Sequence, residues 1–200
     1  MNITIERIDG RGIPLRGNDI DTDRIIPARY LKEITFTNMG SYLFYDERFD
    51  EMGQKKEHIL NVSRFFGGSI LLVNKNFGCG SSREHAAHSI QKFGIRAIIG
   101  ESFSNIFASN CLSLGIPVVQ VSSEDSEFLM TTIERHPQTV IVISISKGEI
   151  TCSKKIIKFT MPEHAITALL AGNWNSTQLL LSNMFEVRTM AVGLPYIKGF

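Results

Sequence analysis

The sequence predicts an α/β fold built on a mixed sheet, and three patterns predict it. Apolar runs of strand length alternate with runs of helical periodicity through the middle of the chain. Strands separated by helices favour parallel pairing through crossover connections. Farther on, two β-branched or alternating runs flank a Lys-Gly-Glu turn and predict an added antiparallel pair. The strand-like runs are 69–73, 95–100, 117–121, 139–146 and 150–159, and the helix-like runs are 83–93, 102–114 and 122–135.

The two ends of the chain add further predicted elements. Loosely alternating isoleucines in residues 3–8 predict an edge strand, and residues 11–15 predict a turn into a second short strand. Pro162 stands where a helix favours proline, at its first position, and residues 177–192 have the composition of another helix. Residues 160–200 are therefore expected to form a helical C-terminal part.

Composition disfavours several classes of function. The 200 residues carry a formal net charge of +1, which argues against a nucleic-acid or a polybasic membrane surface. No apolar stretch reaches bilayer-spanning length and the first residues lack a signal core, so we expect a cytoplasmic protein. Cys79, Cys111 and Cys152 form no C-x-x-C pair, which disfavours a disulfide framework, a zinc site and an iron–sulfur cluster held by this chain alone.

The most informative stretch is residues 76–85, N-F-G-C-G-S-S-R-E-H, which we call the signature loop. It joins a predicted buried strand to a predicted helix, and its two glycines permit positive φ and close approach of the backbone to a ligand. Ser81 and Glu84 have the spacing of a capping box. A helix start attracts anions, and Arg83 adds a planar fork that fits a carboxylate. The alternative is a capped turn without a ligand.

Other interpretations of the same region are weaker. A dinucleotide-binding loop would need a small residue where Arg83 stands, although Glu101 lies at a suitable distance for the ribose-binding acid. A phosphate-binding P-loop would end in Gly-Lys-Ser/Thr, and this loop does not. Cys79 is either a reactive thiol or, as we favour, a small side chain in a tight loop. His85 and His88 are conceivable as a metal pair, but helix histidines with protein partners are favoured.

Two motifs carry a family resemblance. The signature loop closely resembles the signature of the small subunits of 3-isopropylmalate dehydratases, within the aconitase family. Residues 18–27, N-D-I-D-T-D-R-I-I-P, resemble that family's second signature, which borders the active site; we call them the acidic segment. An EF-hand calcium loop is disfavoured there, because its glycine and distant glutamate are missing. The resemblance implies that residues 1–200 form a single three-layer β/β/α swivelling domain.

The resemblance also implies an activity and the residues that perform it. The family isomerises 2-isopropylmalate and 3-isopropylmalate by dehydration and rehydration, in leucine biosynthesis. Ser81 would be the catalytic base, and Arg83 would bind the substrate carboxylate with the help of Ser82 and Gly80. The family uses a [4Fe–4S] cluster, for which this chain has no ligands. A separate large subunit would carry the cluster, so we expect a heterodimer acting on a small dicarboxylate.

The acidic segment supplies further candidates. By resemblance Asp23 is an active-site acid. Asp21 and Thr22 are expected to shape the turn through Asx-type hydrogen bonds, and Thr22 is also a candidate substrate contact.

The segment that follows would choose the side chain of the substrate. Tyr30 and Leu31 are candidates for this role, and local packing is the alternative for both. Arg48 could serve a carboxylate, with a surface ion pair as the alternative. Residues 30–60 are expected to be a partly mobile substrate loop.

One departure and several alternatives stay open. Residues 172–180 read G-N-W-N-S-T-Q-L-L where the family commonly has G-L-D-x-I-G-L-T-L, which bears on the partner interface or the substrate preference. A related dehydratase acting on homoaconitate, citraconate (2-methylmalate) or dimethylmalate is an alternative. A non-catalytic anion-binding or scaffold protein that keeps the domain is another.

Overall fold

A computed structural model describes residues 3–33, 35–194 and 196 of the chain. Within these residues the backbone forms one seven-stranded sheet, in the order β4-β3-β2-β1-β5-β6-β7. The four strands from β4 to β1 are parallel, and the pairs from β1 to β7 are antiparallel. The strands are β1 (Arg7–Leu15), β2 (Ile70–Val73), β3 (Ala97–Gly100), β4 (Val118–Gln120), β5 (Val140–Ser144), β6 (Glu149–Cys152) and β7 (Lys155–Lys158).

Strand β1 joins the two halves of the sheet. Its residues 12–15 pair with β2 in parallel, whereas residues 7–11 pair with β5 in antiparallel. The predicted edge strand and separate second strand are therefore wrong, because one strand runs through the centre. Pro14, which suggested a turn, lies in the half that has a strand partner on one side only, where a missing N–H is tolerated.

Helices surround the sheet, and the predicted α/β fold with a mixed sheet is confirmed. Every residue of β2 and β3 is buried, as expected of parallel strands that are covered on both faces. Short 3₁₀ helices occupy Ala28–Lys32, Met39–Tyr42, Ile59–Asn61 and Ser63–Phe65. The α-helices are α1 (Thr22–Ile25), α2 (Tyr45–Arg48), α3 (Glu84–Phe93), α4 (Asn105–Ser113), α5 (Ser123–Arg135), α6 (Glu163–Ala171), α7 (Ser176–Ser182) and α8 (Met184–Gly193).

Two predicted elements are each divided in the structure. The run 150–159 forms β6 and β7, which turn back on each other with Ser153 at φ +54°. The run 177–192 forms α7 and α8, which are separated at Asn183. The side-chain amide of Asn183 donates to the carbonyl of Leu179 at 2.9 Å, and such local bonds compete with the helical ladder.

The segment that departs from the family pattern packs against the domain. Trp174 lies over Gly115, just beyond α4, so closely that a Cβ there would come within 2.7 Å of the indole nitrogen. The Trp174 indole therefore packs directly on the backbone of Gly115, and a side chain at position 115 would prevent this contact. In the part of the chain that the structure describes, no helix is long and apolar enough to cross a membrane.

Candidate functional site

The acidic segment lies beside the signature loop, at the C-terminal end of β2. Backbone hydrogen bonds join the two stretches along their length, so the residues that the sequence proposed from two distant motifs meet in one place. Two of these bonds run from Gly78 N to Ile20 O at 2.8 Å and from Thr22 N to Cys79 O at 2.9 Å, and a third runs from Asp19 N to the carbonyl of Lys75, just before the loop, at 2.9 Å.

The two glycines of the signature loop have different roles. Gly78 and Gly80 have φ values of +74° and +92°, as predicted. A Cβ on Gly78 would lie 2.2 Å from the ring of Phe107 in α4, so this glycine is required for packing. A Cβ on Gly80 would meet nothing closer than Thr22 Oγ1 at 3.4 Å, so only its backbone conformation requires glycine.

Thr22 holds the backbone of Ser81. The Thr22 hydroxyl donates to the Ser81 carbonyl at 3.1 Å and accepts from the Ser81 N–H at 3.2 Å. Thr22 is only 1 % exposed. Thr22 therefore positions Ser81, and the contact of Thr22 with the substrate stays a prediction. Asp21 shapes the turn as predicted, because its carboxylate caps α1 by accepting from Arg24 N at 2.8 Å.

The predicted capping box at the start of α3 is wrong. The residue that precedes the helix is Arg83, and no side chain caps the first turn. The backbone N–H groups of Glu84 and His85 donate to no other group of the described residues, as expected for an uncapped first turn. The helix start therefore keeps donors available for an anion.

Arg83 and Asp23, both predicted site residues, form an ion pair through Nη1 of the arginine. The Arg83 side chain is 21 % exposed and the Asp23 side chain is 53 % exposed. Nε and Nη2 of Arg83 donate to no group within the described chain, so part of the guanidinium fork remains available. Gly80, Ser81 and Ser82 are exposed beside it. The arrangement is an open surface with two hydroxyls, a cation and backbone donors.

Tyr30 and Leu31 lie in the 3₁₀ helix that follows the acidic segment. Both are partly buried against the core. The Tyr30 ring stacks on the ring of Tyr42, with the two centroids 4.0 Å apart. The Arg29 guanidinium lies 4.7 Å from the centroid of the Tyr30 ring. These contacts favour local packing for Tyr30.

Arg48 lies away from the signature loop. Its side chain is buried at 9 % exposure, and its guanidinium lies 5.1 Å from the ring of Phe93 at the last residue of α3. The signature loop is at the other end of that helix, about 15 Å away at 1.5 Å per residue. The predicted surface ion pair of Arg48 is therefore wrong within the described residues, and its role toward a substrate carboxylate stays a prediction.

The surroundings of Cys79 and His88 favour a structural role for both residues. Burial, and then the nearby Asp21 and Asp19, raise the pKa of the Cys79 thiol, which favours the interpretation of a small side chain. The His88 ring stacks on Phe36 at 3.7 Å, and burial lowers the pKa of His88. Among the described residues, no group of three or more His, Cys, Asp or Glu side chains is placed to hold a metal ion.

Sequence reasoning missed the amides and carboxylates that brace the loop. Asn76 has φ +57° and donates through its side chain to Asp19 at 2.7 Å. Asn74 donates to Glu101 at 3.0 Å, so the acid considered for a nucleotide ribose is engaged in the protein. The available signal was the number of Asn and Asp residues in both stretches, since these residues favour turns and positive φ.

Comparison with known proteins agrees with this geometry. Residues 4–124 match the aconitase C-terminal domain. A 3-isopropylmalate dehydratase small subunit of Thermus thermophilus is 47 % identical over 87 % of this chain and 87 % of its own. The corresponding small subunit of Synechocystis is 38 % identical over 96 % of this chain and 95 % of its own.

A solved structure supports the same conclusion at the level of the fold. The crystal structure of a 3-isopropylmalate dehydratase from Methanocaldococcus jannaschii superimposes with a TM-score of 0.64 at 28 % identity. The match covers 89 % of this chain and 98 % of that one. The chain belongs to the aconitase C-terminal domain family, in the group of 3-isopropylmalate dehydratase small subunits.

Proposed function

We propose that this chain is the small subunit of a hydro-lyase that interconverts 2-isopropylmalate and 3-isopropylmalate by dehydration and rehydration. The observation that carries the proposal is the exposure of Ser81 beside Arg83, with the backbone of Ser81 fixed by Thr22. The relatives' names support the reaction class and the substrate. In this role the chain acts in leucine biosynthesis in the cytoplasm.

Ser81 is the proposed base. Its Oγ, as an alkoxide, takes the weakly acidic C–H proton next to a substrate carboxylate and returns it in the reverse direction. A serine hydroxyl is a poor base near neutral pH, so the alkoxide needs strong stabilisation. The uncapped N–H groups of Glu84 and His85 and the charge of Arg83 are the groups of this chain that can provide it.

Arg83 is the proposed carboxylate clamp. Asp23 occupies one donor of the guanidinium and orients it, while Nε and Nη2 remain to bind a substrate carboxylate. Ser82 and the backbone at Gly80 lie next to this fork on the exposed loop. Tyr30 and Leu31 remain proposed contributors to substrate choice through the segment that contains them.

The described residues do not form a site for an iron–sulfur cluster. Cys111 and Cys152 are both buried at 0 % exposure, and neither belongs to a group of potential metal ligands. We propose that a large subunit carries a [4Fe–4S] cluster, which would supply the Lewis acid that the dehydration requires. The open surface around Ser81 suits such an arrangement, because a second subunit would close it and exclude water.

The test compares Ser81→Ala with Ser123→Ala in the reconstituted two-subunit enzyme. Ser123 is an exposed serine at the start of α5 and serves as the control. We expect Ser81→Ala to lower kcat by about a thousandfold or more, as for loss of an essential group. Because Ser81 caps no helix, the free energy of unfolding should change by less than about 0.5 kcal/mol. Turnover within tenfold of wild type would refute Ser81 as the base.

The substrate is tested separately, with the wild-type enzyme. Isopropylmalate and dimethylmalate are malates with different alkyl groups, whereas homoaconitate and citraconate are unsaturated acids that enter the same type of reaction by hydration. We expect the highest kcat/KM with isopropylmalate, and a higher value with another of these acids would reassign the substrate. Failure to bind any large subunit, together with tight binding of a free dicarboxylate, would favour a scaffold or binding protein instead.

A further inference from the structure

A cavity of about 350 Å³ lies at the C-terminal end of α3, where Phe93 and Gly94 form part of its wall. We call it the Arg48 cavity. Phe65 and Phe66 add apolar surface, and Arg48 and Lys55 add positive charge. Among the described residues that line it, none is Asp or Glu. The cavity thus combines an apolar wall with two positively charged side chains, and no described lining residue is negatively charged.

The Arg48 guanidinium is held firmly in this wall. The side chain is 9 % exposed and donates through Nε to Asn61 Oδ1 at 3.2 Å and through Nη1 to the Leu43 carbonyl at 3.0 Å. Its Cζ lies 4.9 Å from the ring centroid of Phe49 and 5.1 Å from that of Phe93. The cation is therefore fixed before any ligand arrives.

This buried cation has no counter-ion in the described part of the chain. Its two hydrogen-bond acceptors are a carbonyl and an amide, which are neutral, and Nη2 donates to no described group. A buried unpaired charge costs several kcal/mol, so buried arginines are normally paired with acids. An anion in the cavity would offset that cost.

Two other polar side chains of the cavity have different roles, since Asn61 holds the Arg48 guanidinium and Lys55 is available for a ligand. The Asn61 side chain donates to the carbonyls of Arg48 at 2.7 Å and Lys56 at 3.0 Å, which directs its oxygen toward the guanidinium. Lys55 is exposed, and its Nζ lies 5.7 Å from the ring centroid of Phe66. Lys55 forms no ion pair with a described residue, so its charge is available at the mouth of the cavity.

We propose that the Arg48 cavity binds a small carboxylic acid with an apolar body. The carboxylate would accept from Arg48 Nη2 and from the Lys55 ammonium, and the apolar body would pack against Phe65, Phe66 and Phe93. The volume lies within the range of about 300–1,000 Å³ that is usual for small-ligand sites. The cavity is at the opposite end of α3 from Ser81, so this site is separate from the proposed active site and does not depend on it.

The test is calorimetric titration of the full-length chain with 4-methylpentanoate, acetate and inorganic phosphate. We expect 4-methylpentanoate to bind about tenfold or more tightly than either small anion, because its hydrocarbon chain buries apolar surface that acetate and phosphate lack. Lys55→Ala should weaken binding about fivefold, and Arg48→Met should weaken it more. Lys154→Ala, which changes an exposed lysine elsewhere, and Arg83→Lys should leave the affinity unchanged.

Three results would overturn the proposal. One is the absence of 4-methylpentanoate binding at millimolar concentrations, and another is equal affinity for phosphate, which needs no apolar wall. The third is unchanged binding in both Lys55→Ala and Phe66→Ala. Phe66 is 50 % exposed and Lys55 is exposed, so these two variants decide the question even if Arg48→Met fails to fold.

Discussion

The hydroxyl of Thr22 binds both backbone polar groups of Ser81, at 3.2 Å to the N–H and 3.1 Å to the carbonyl. The two residues belong to different motifs and are 59 positions apart in the chain. Thr22 itself is buried, whereas Ser81 is exposed. The acidic segment therefore fixes the backbone of the proposed base from the buried side of the signature loop.

Replacing Thr22 by Val should damage the site with little change in side-chain volume. Both backbone groups of Ser81 would lose their partner, which costs about 1–3 kcal/mol in the free energy of unfolding. A loop shift of about 1 Å can lower the rate about a hundredfold, and we expect a fall in kcat of that order. Steady-state kinetics of the reconstituted enzyme and urea unfolding of the chain measure the two effects.

Thr22→Ser provides the matched control, because it keeps the hydroxyl and removes only a methyl group. It should retain most of the activity that Thr22→Val loses. Equal kcat values for the two variants would show that the hydroxyl does not position Ser81.

Gly78→Ala should destabilise the domain more than its backbone angle alone explains. The new Cβ would lie 2.2 Å from Phe107 Cγ, so α4 or the loop must move. Overpacking of this kind costs about 1–3 kcal/mol, in addition to about 1 kcal/mol for alanine at positive φ.

Gly148→Ala separates these two terms in thermal or urea unfolding. Gly148 has φ +64°, close to the +74° of Gly78, but a Cβ there would meet nothing within 4 Å. It should show only the backbone cost. Equal losses of stability in the two variants would rule out a steric role for Gly78.

Stability at acid pH should depend on Glu47 in α2. His58 and then Arg24, both beside this carboxylate, lower the pKa of Glu47 from 4.5 to about 2. A carboxyl with a lowered folded-state pKa stabilises the fold above its unfolded pKa, and that contribution is lost as the pH falls from 4.5 toward 2. Glu47→Gln should remove about 1 kcal/mol at pH 7, allowing for solvent screening of a partly exposed side chain.

The measurement is urea unfolding at several values of pH between 7 and 3. The stability of Glu47→Gln should decline less steeply with acid than that of the wild type. Glu51→Gln, at an exposed glutamate nearby, should keep the wild-type slope. Parallel curves for Glu47→Gln and the wild type would contradict the assignment.

The local sequence pattern predicts the helices that pack on the sheet, but it does not predict the position of a strand whose partners lie far along the chain. Helix α5 (Ser123–Arg135) agrees with the predicted helical run 122–135, and the Ser122 hydroxyl caps it by accepting from Asp125 N at 3.1 Å. Strand β1 was misplaced because its central position depends on β2 and β5, which lie far along the chain. A proline and two glycines in it resembled a turn, and only the tertiary pairing overrides that preference.

The site shows the same division. The family resemblance identifies Ser81 and Arg83 as site residues. The spacing of Ser81 and Glu84 alone predicts a serine cap, which helix α3 does not have. An arginine in a polar stretch suggests a surface ion pair, but Arg48 is buried and its guanidinium contacts Phe93 at the end of α3, a contact that no local pattern predicts. Burial of a charged side chain is decided by the neighbours that it meets after folding.

Arg83→Lys tests whether the planar fork of this residue binds the substrate. Lysine keeps the positive charge but cannot present two parallel donors to a carboxylate. Loss of one charge-assisted hydrogen bond costs about 1.5–3 kcal/mol, so KM should rise about 10–100-fold. The free energy of unfolding should change little, because the pair with Asp23 is partly exposed.

Arg7→Lys is the matched control, since Arg7 also pairs with an aspartate, Asp9, at 2.6 Å on the surface. It should leave both KM and kcat unchanged, and it measures the general effect of this substitution in an exposed pair. A KM for Arg83→Lys within about twofold of the Arg7→Lys value would mean that the fork is not used. Because Nε and Nη2 of Arg83 have no partner among the described residues, the geometry supports the larger change.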